Sequence, residues 1–131
     1  GSWQKWDKRW AELNLYAYDD FDSFVHGWIN KENIHTWYHF IPQYEYMSLK
    51  DGTMPFDFIG CYENLKADFS YVCDQLGIKL ELMRLNSSRP ERDDYRKYYT
   101  DETRRIVSEV YADDIRISGY SFDSSRPDIC K

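Results

Sequence analysis

Trp3, Trp6, Trp10 and Leu13 recur at spacings of three and four, with Lys5, Asp7, Lys8 and Glu12 between them. That period lays an apolar stripe along one side and predicts an amphipathic helix over 3–15, with the charged residues on its wet side. A second helix is predicted over 21–30. Phe24, Val25, Trp28 and Ile29 form its stripe, and Asp22 or Ser23 caps it. The aromatic stretch 34–49 carries no clean period and is left unassigned. Lys50-Asp51-Gly52 reads as a turn.

Residues 56–60 are short and apolar between Pro55 and Gly60, which predicts a buried strand. Asn64 is placed to cap a helix whose buried face is Leu65, Phe69, Val72, Cys73 and Leu76, and Gly77 stops it with Ile78 folding back. Residues 80–85 predict a second strand or an extended arm. The polar run 86–94, broken by Pro90, predicts a loop. Thr100 opens a further helix with Asp101 and Glu102 in its first turn and Ile106, Val107, Val110 and Tyr111 inward. A short element follows near 114–117, and 123–131 has the composition of a flexible tail. Gly1-Ser2 reads as an expression scar, leaving 3–122 as one folded region.

Hydrophobic residues make up 42% of the 131, with five Trp, twelve Tyr and seven Phe, enough for a core. No window is apolar enough for a membrane span. The net charge of −6 is spread along the chain. It argues against a nucleic-acid polymer as partner, because such binders need a basic stripe to displace counterions from phosphates. The local basic run from Arg84 to Arg96 can still hold one small anion. Cys61, Cys73 and Cys130 include no C-x-x-C pair, which excludes a zinc ribbon and a thioredoxin-like site on spacing. They read as free thiols in reducing surroundings, which favours a cytoplasmic setting over a Golgi lumen. One disulfide with a leftover thiol is the alternative.

Asp57-Phe58-Ile59-Gly60, then Tyr62-Glu63-Asn64-Leu65, then Asp68-Phe69 resembles a run characteristic of the sulfotransferase family, the broad group related to carbohydrate sulfotransferases. Tyr95-Arg96-x-Tyr98-Tyr99, Glu102-Thr103, Val107, Tyr111, Asp113-Asp114-Ile115 and Gly119-Tyr120-x-Phe122 is similar to the end of the same domain. His39-x-x-Pro42-Gln43 adds a looser match, so the resemblance spans about 21–122 in order. It implies an α/β, P-loop-type fold, mostly helical in this chain with few short strands, of which these residues form the C-terminal portion. It also implies 3′-phosphoadenosine 5′-phosphosulfate as sulfuryl donor, a hydroxyl acceptor, often on a sugar, and no metal.

Two departures qualify the likeness. No G-x-x-x-x-G-K-[ST] loop occurs in the chain, nor the Arg and Ser pair that holds the donor's 3′-phosphate, so the isolated chain is expected to be inactive. Cys61 stands where many relatives carry Arg.

Relatives close a Ser- and Arg-bearing loop over the donor, which makes Ser87, Ser88, Arg89, Arg92 and Arg96 the candidate donor contacts, set against a solvated loop balanced by Glu91, Asp93 and Asp94. His39 is the candidate general base; the competing role is a hydrogen bond within the aromatic cluster. His35 and His39 lie four apart, but no third ligand is close in sequence to complete a metal site. Gln43 and Glu63 are candidates on the acceptor side, against a backbone tie for Gln43 and a helix-terminal charge or a buried salt bridge with an upstream residue for Glu63. Tyr95, Tyr98, Tyr99 and Tyr111 offer a stacking platform or, the blander reading, core. Asn86-Ser87-Ser88 fits a glycosylation sequon.

Beside a partial sulfotransferase stands a second class, a non-catalytic binding or assembly module that keeps part of the fold. The partial enzyme would have its donor-binding N-terminal half missing or on another chain, whereas the module would close its open sheet by forming a homodimer or by swapping elements. An aromatic-rich glycan-binding module is a third.

Overall fold

The computed structural model describes residues 2–83 and 94–123. Among the described residues six α-helices follow one another: α1 Ser2–Trp10, α2 Phe21–Trp28, α3 Gln43–Met47, α4 Leu65–Leu76, α5 Asp101–Val110 and α6 Ala112–Ser118. They fall into two compact units. Gly1–Pro42 with Tyr95–Ala112 makes the first, and Gln43–Asp94 with Asp113–Lys131 makes the second.

The first unit holds the core. Phe24, Val25, Trp28 and Ile29 of the α2 stripe and Ile34 are buried together. Trp10, Phe40 and the α5 stripe of Ile106, Val107, Val110 and Tyr111 pack against them, as the periodicity of both helices requires. Fully burying one such side chain contributes about 1.5–3 kcal/mol, so this cluster dominates the unit's stability. The aromatic rings meet edge-on and stacked: Trp10 to Trp28 at 5.3 Å, Phe24 to Trp28 at 5.3 Å and 12°. Gly27 is the residue that lets Tyr18 lie against α2, since a Cβ there would sit 2.4 Å from its ring.

Both helices of this core are capped by their sequence. At α2 the cap is Asp20, not Asp22 or Ser23. Its carboxylate accepts from the Ser23 N–H at 2.8 Å, and the Ser23 hydroxyl answers the Asp20 N–H. At α5 Thr100 caps as expected, in a reciprocal box with the fully buried Thr103. The first helix is shorter than expected. After Trp10 the chain widens into a π-helical turn, Ala11–Leu15, closed by a bond from Tyr16 N–H to the Ala11 carbonyl.

The second unit is built from short pieces. The Lys50-Asp51-Gly52 turn forms as expected, with Gly52 at φ 81° and the Leu49 N–H donating to the Thr53 carbonyl. Gly77 ends α4 at φ 65°, and Ile78 N–H reaches back to the Cys73 carbonyl. Three expectations are corrected here. No strand occurs among the described residues, so 56–60 and the described part of 80–85 run as irregular chain; a strand needs a neighbour for its backbone groups, and none is described beside them. The described residues are mostly helical, as expected, but without the few short strands of an α/β chain. The α4 stripe buries only Cys73, while Leu65, Val72 and Leu76 are 45%, 36% and 65% exposed. Asn64 sits at the cap position without capping; its amide donates to Asp68 Oδ1 instead, while Asp68 Oδ2 accepts the Cys61 N–H.

The thiols also depart from expectation. Cys73 is free and buried, but Cys61 is disulfide-bonded. Disulfides persist in oxidising surroundings, so the argument from free thiols to a reducing, cytoplasmic setting falls. No helix among the described residues is long and apolar enough to cross a membrane. Of the expected loop 86–94 and tail 123–131, only Asp94 and Asp123 lie among the described residues.

Candidate functional site

Within the first unit, α1 is docked through Trp10, whose indole stacks on Trp37 at 5.4 Å and meets Phe40 at 5.3 Å. Asp7 lies three residues earlier on the same helix, hence on the same face, one turn towards the N-terminus. That docking brings its carboxylate onto the segment just after Trp37. The Tyr38 hydroxyl donates to Asp7 Oδ1, and His39 Nε2 lies 3.1 Å from the same oxygen. The Tyr38 and His39 rings are 4.1 Å apart. His39 remains 55% exposed at its side chain, at the edge of the aromatic cluster rather than inside it. The bond to Asp7 pushes the Tyr38 phenol above its ordinary range, with loss of solvent adding to it. Sequence reading put Asp7 on the wet side of its helix and missed it. The available signal was the i, i+3 step to Trp10.

Behind this edge the wall is fixed. The Tyr111 hydroxyl donates to the Phe40 carbonyl at 2.8 Å, tying α5 to the residue after His39. Arg96, also in the first unit, is half-buried in a 3-10 turn, Tyr95–Tyr98, with its guanidinium over the Tyr95 ring at 4.8 Å. Ser87, Ser88, Arg89 and Arg92 lie outside the described residues. The four tyrosines divide. Tyr99 meets Phe21 at 4.8 Å and Tyr111 packs on the core, while Tyr95 and Tyr98 stay exposed.

Gln43 and Glu63 belong to the second unit. Gln43 opens α3, where the Asp114 carboxylate accepts its backbone N–H and that of Tyr44, both at 2.8 Å. A side chain from α6 thus satisfies donors that a helix start leaves unpaired. Glu63 lines an open depression with Tyr62, Leu65, Lys66 and Ser70, and its Oε2 accepts the Tyr120 hydroxyl at 3.0 Å. Burial and that carboxylate both push the Tyr120 phenol up. Among the described residues no three of His, Cys, Asp or Glu gather into a metal-binding group. His35 is engaged otherwise, with Nδ1 2.7 Å from the Lys31 carbonyl.

The first unit gathers a phenol and an imidazole on one carboxylate oxygen of Asp7, and carries separately the half-buried Arg96. Chemically it can move a proton and bind an anion. The model of the sulfotransferase family matches residues 2–121. The chain belongs to the sulfotransferase family. No curated protein and no solved structure matches it.

Proposed function

We propose that the chain works in transfer of a sulfuryl group from 3′-phosphoadenosine 5′-phosphosulfate to an acceptor hydroxyl, with a carbohydrate as the acceptor class. The family match over 2–121 carries this reading, and it brings the expectation of a P-loop-type fold. In it His39 is the general base, reachable at the edge of the aromatic cluster. Gln43 and Glu63 serve the acceptor side. Ser87, Ser88, Arg89, Arg92 and Arg96 contact the donor, where a planar guanidinium can bind phosphate through two parallel hydrogen bonds. Of these, the described Arg96 fits that use: it is braced by an aromatic ring and partly withdrawn from water. The 131 residues hold no glycine-rich phosphate loop, so alone they bind without turning over.

Charge in such a transfer builds on the equatorial oxygens and on the departing phosphate, so cations and N–H donors supply the stabilisation. Calorimetric titration with adenosine 3′,5′-bisphosphate, the spent donor, is the test. Micromolar binding that weakens about tenfold in Arg96→Ala, roughly 1.4 kcal/mol, supports the reading. No heat at millimolar ligand overturns it.

A second reading keeps the fold and drops the chemistry. The exposed Leu65, Val72 and Leu76 on α4 suit a binding or assembly module better than a finished enzyme surface. Such a module self-associates in light scattering and gives no heat with the nucleotide.

A further inference from the structure

His39 does not stand alone at the edge of the aromatic cluster. Its Nε2 is 3.1 Å from Asp7 Oδ1, within the reach of a charged hydrogen bond, and the Tyr38 hydroxyl donates to the same oxygen. An ionised carboxylate only accepts, so the nitrogen facing it carries the proton. The Nε2–H form is thereby selected. Nδ1 is left with its lone pair and has no partner among the described residues. The ring cannot swing freely either. Tyr38 covers it at 4.1 Å and Trp37 meets it at 6.3 Å, and Trp37 is stacked on Trp10 of the helix that carries Asp7.

We propose that Asp7 is a positioning residue for His39, holding the imidazole by its Nε2 proton so that Nδ1 is the atom presented to the acceptor hydroxyl. This rests on the reading of His39 as general base. In the step that follows, the hydroxyl oxygen bonds to sulfur as the bond from sulfur to the donor's phosphate oxygen breaks. The hydroxyl proton goes to Nδ1, and the electron pair leaves with the phosphate. His39 becomes an imidazolium with Asp7, still ionised, against its other nitrogen. A carboxylate behind a histidine serves two ends at once, fixing the tautomer and stabilising the cation as it forms. Tyr38, donating to the same oxygen, fixes the carboxylate in turn.

Long-range proton–nitrogen NMR of the histidine rings in this chain reads the proposal directly, with His39→Gln assigning the signals. His26 and His35 serve as internal references. The expected parent spectrum shows His39 as the Nε2–H tautomer with a slowly exchanging ring proton. Asp7→Ala should lose that slow proton and move the ring towards tautomer mixing. Should Asp7→Ala fail to fold, Asp7→Asn keeps the size and an acceptor but removes the charge, and the ring proton should exchange faster than in the parent. A parent ring protonated on Nδ1, or His39 signals identical in the parent and the folded Asp7 variant, overturns the assignment. A failed bisphosphate titration beside the expected ring spectra would instead remove the sulfuryl-transfer reading and leave the Asp7–His39 pair standing.

Discussion

At the residue scale, His26 carries the clearest dependence on pH. Its Nδ1 lies 2.9 Å from the Asp22 carbonyl, and its ring sits between the Asp22 carboxylate at 3.3 Å and the Glu102 carboxylate at 3.5 Å. Glu102 is on α5, so the ring bridges the two helices that enclose the core. The bond to the Asp22 backbone raises its pKa above the ordinary 6.5; loss of solvation opposes it, and the Glu102 and Asp22 carboxylates add to the rise. A raised folded-state value means that the protonated ring favours the fold. That contribution is fully present below 6.5 and disappears as pH climbs through the higher folded-state value. Denaturation midpoints taken from about pH 5.5 to about pH 8 should therefore fall in the parent and fall less in His26→Gln. Equal slopes in the two proteins would show that the bridge does not couple to folding. Asp20 runs the other way, since its bonds from Ser23 lower its pKa and its contribution is lost as pH drops through the acid range, so the two windows separate.

At the scale of elements, α3 depends on a side chain some seventy positions away. Five residues form one turn and a half, too short to hold together by helix propensity. The Asp114 carboxylate accepts both the Gln43 and the Tyr44 N–H, which fixes the helix start and the place from which the Gln43 side chain projects. Asp114→Ala should cost about 1 kcal/mol, the usual worth of a lost cap, and amide exchange should quicken across 43–47 before the rest of the second unit. Uniform exchange in the variant would mean that the turn is held by its packing. This is also where sequence reading reached its limit. The helices α2 and α5 around the core were legible because each carries its own apolar period and a polar residue at its start, Thr100 ahead of α5, and the end of α4 was legible from Gly77. The stretch 34–49 was not, because α3 is capped by a residue distant in sequence and the turn before it is a single 3-10 piece, Asn33–Thr36. The strand expected at 56–60 failed for a related reason. An apolar pentapeptide between Pro and Gly fits a strand only when another strand lies alongside, and the local sequence does not say whether one does. Of the candidate site, His39 and Glu63 were found through motifs, while Asp7, 32 positions from His39, carries no motif, and the matched block around Tyr120 gives no sign that its hydroxyl reaches Glu63, 57 positions away.

For the molecule as a whole, apolar burial is divided unevenly between the two units. Phe24, Val25, Trp28, Ile29 and Ile34, with Thr103 beneath the α5 cap, are buried in the first. In the second, the buried apolar residues among those described are Cys61 and Cys73, while Leu49, Phe56, Leu65, Leu76, Leu80 and Met83 are exposed. Local opening costs little free energy where few apolar contacts are lost, so stability should divide the same way. Hydrogen exchange followed by mass spectrometry should show peptides from α2 and α5 exchanging only with global unfolding. Peptides from α4 should exchange by local opening, roughly a hundredfold faster or more, since a difference of about 2.7 kcal/mol in opening free energy suffices. Cys61, in the same unit, is disulfide-bonded, and a cross-link acts chiefly by limiting the open ensemble. A reducing agent should therefore speed exchange in α4 further and leave α2 unchanged. Protection of α4 equal to that of α2, or insensitive to reduction, would show that the second unit draws stability from contacts beyond its apolar burial.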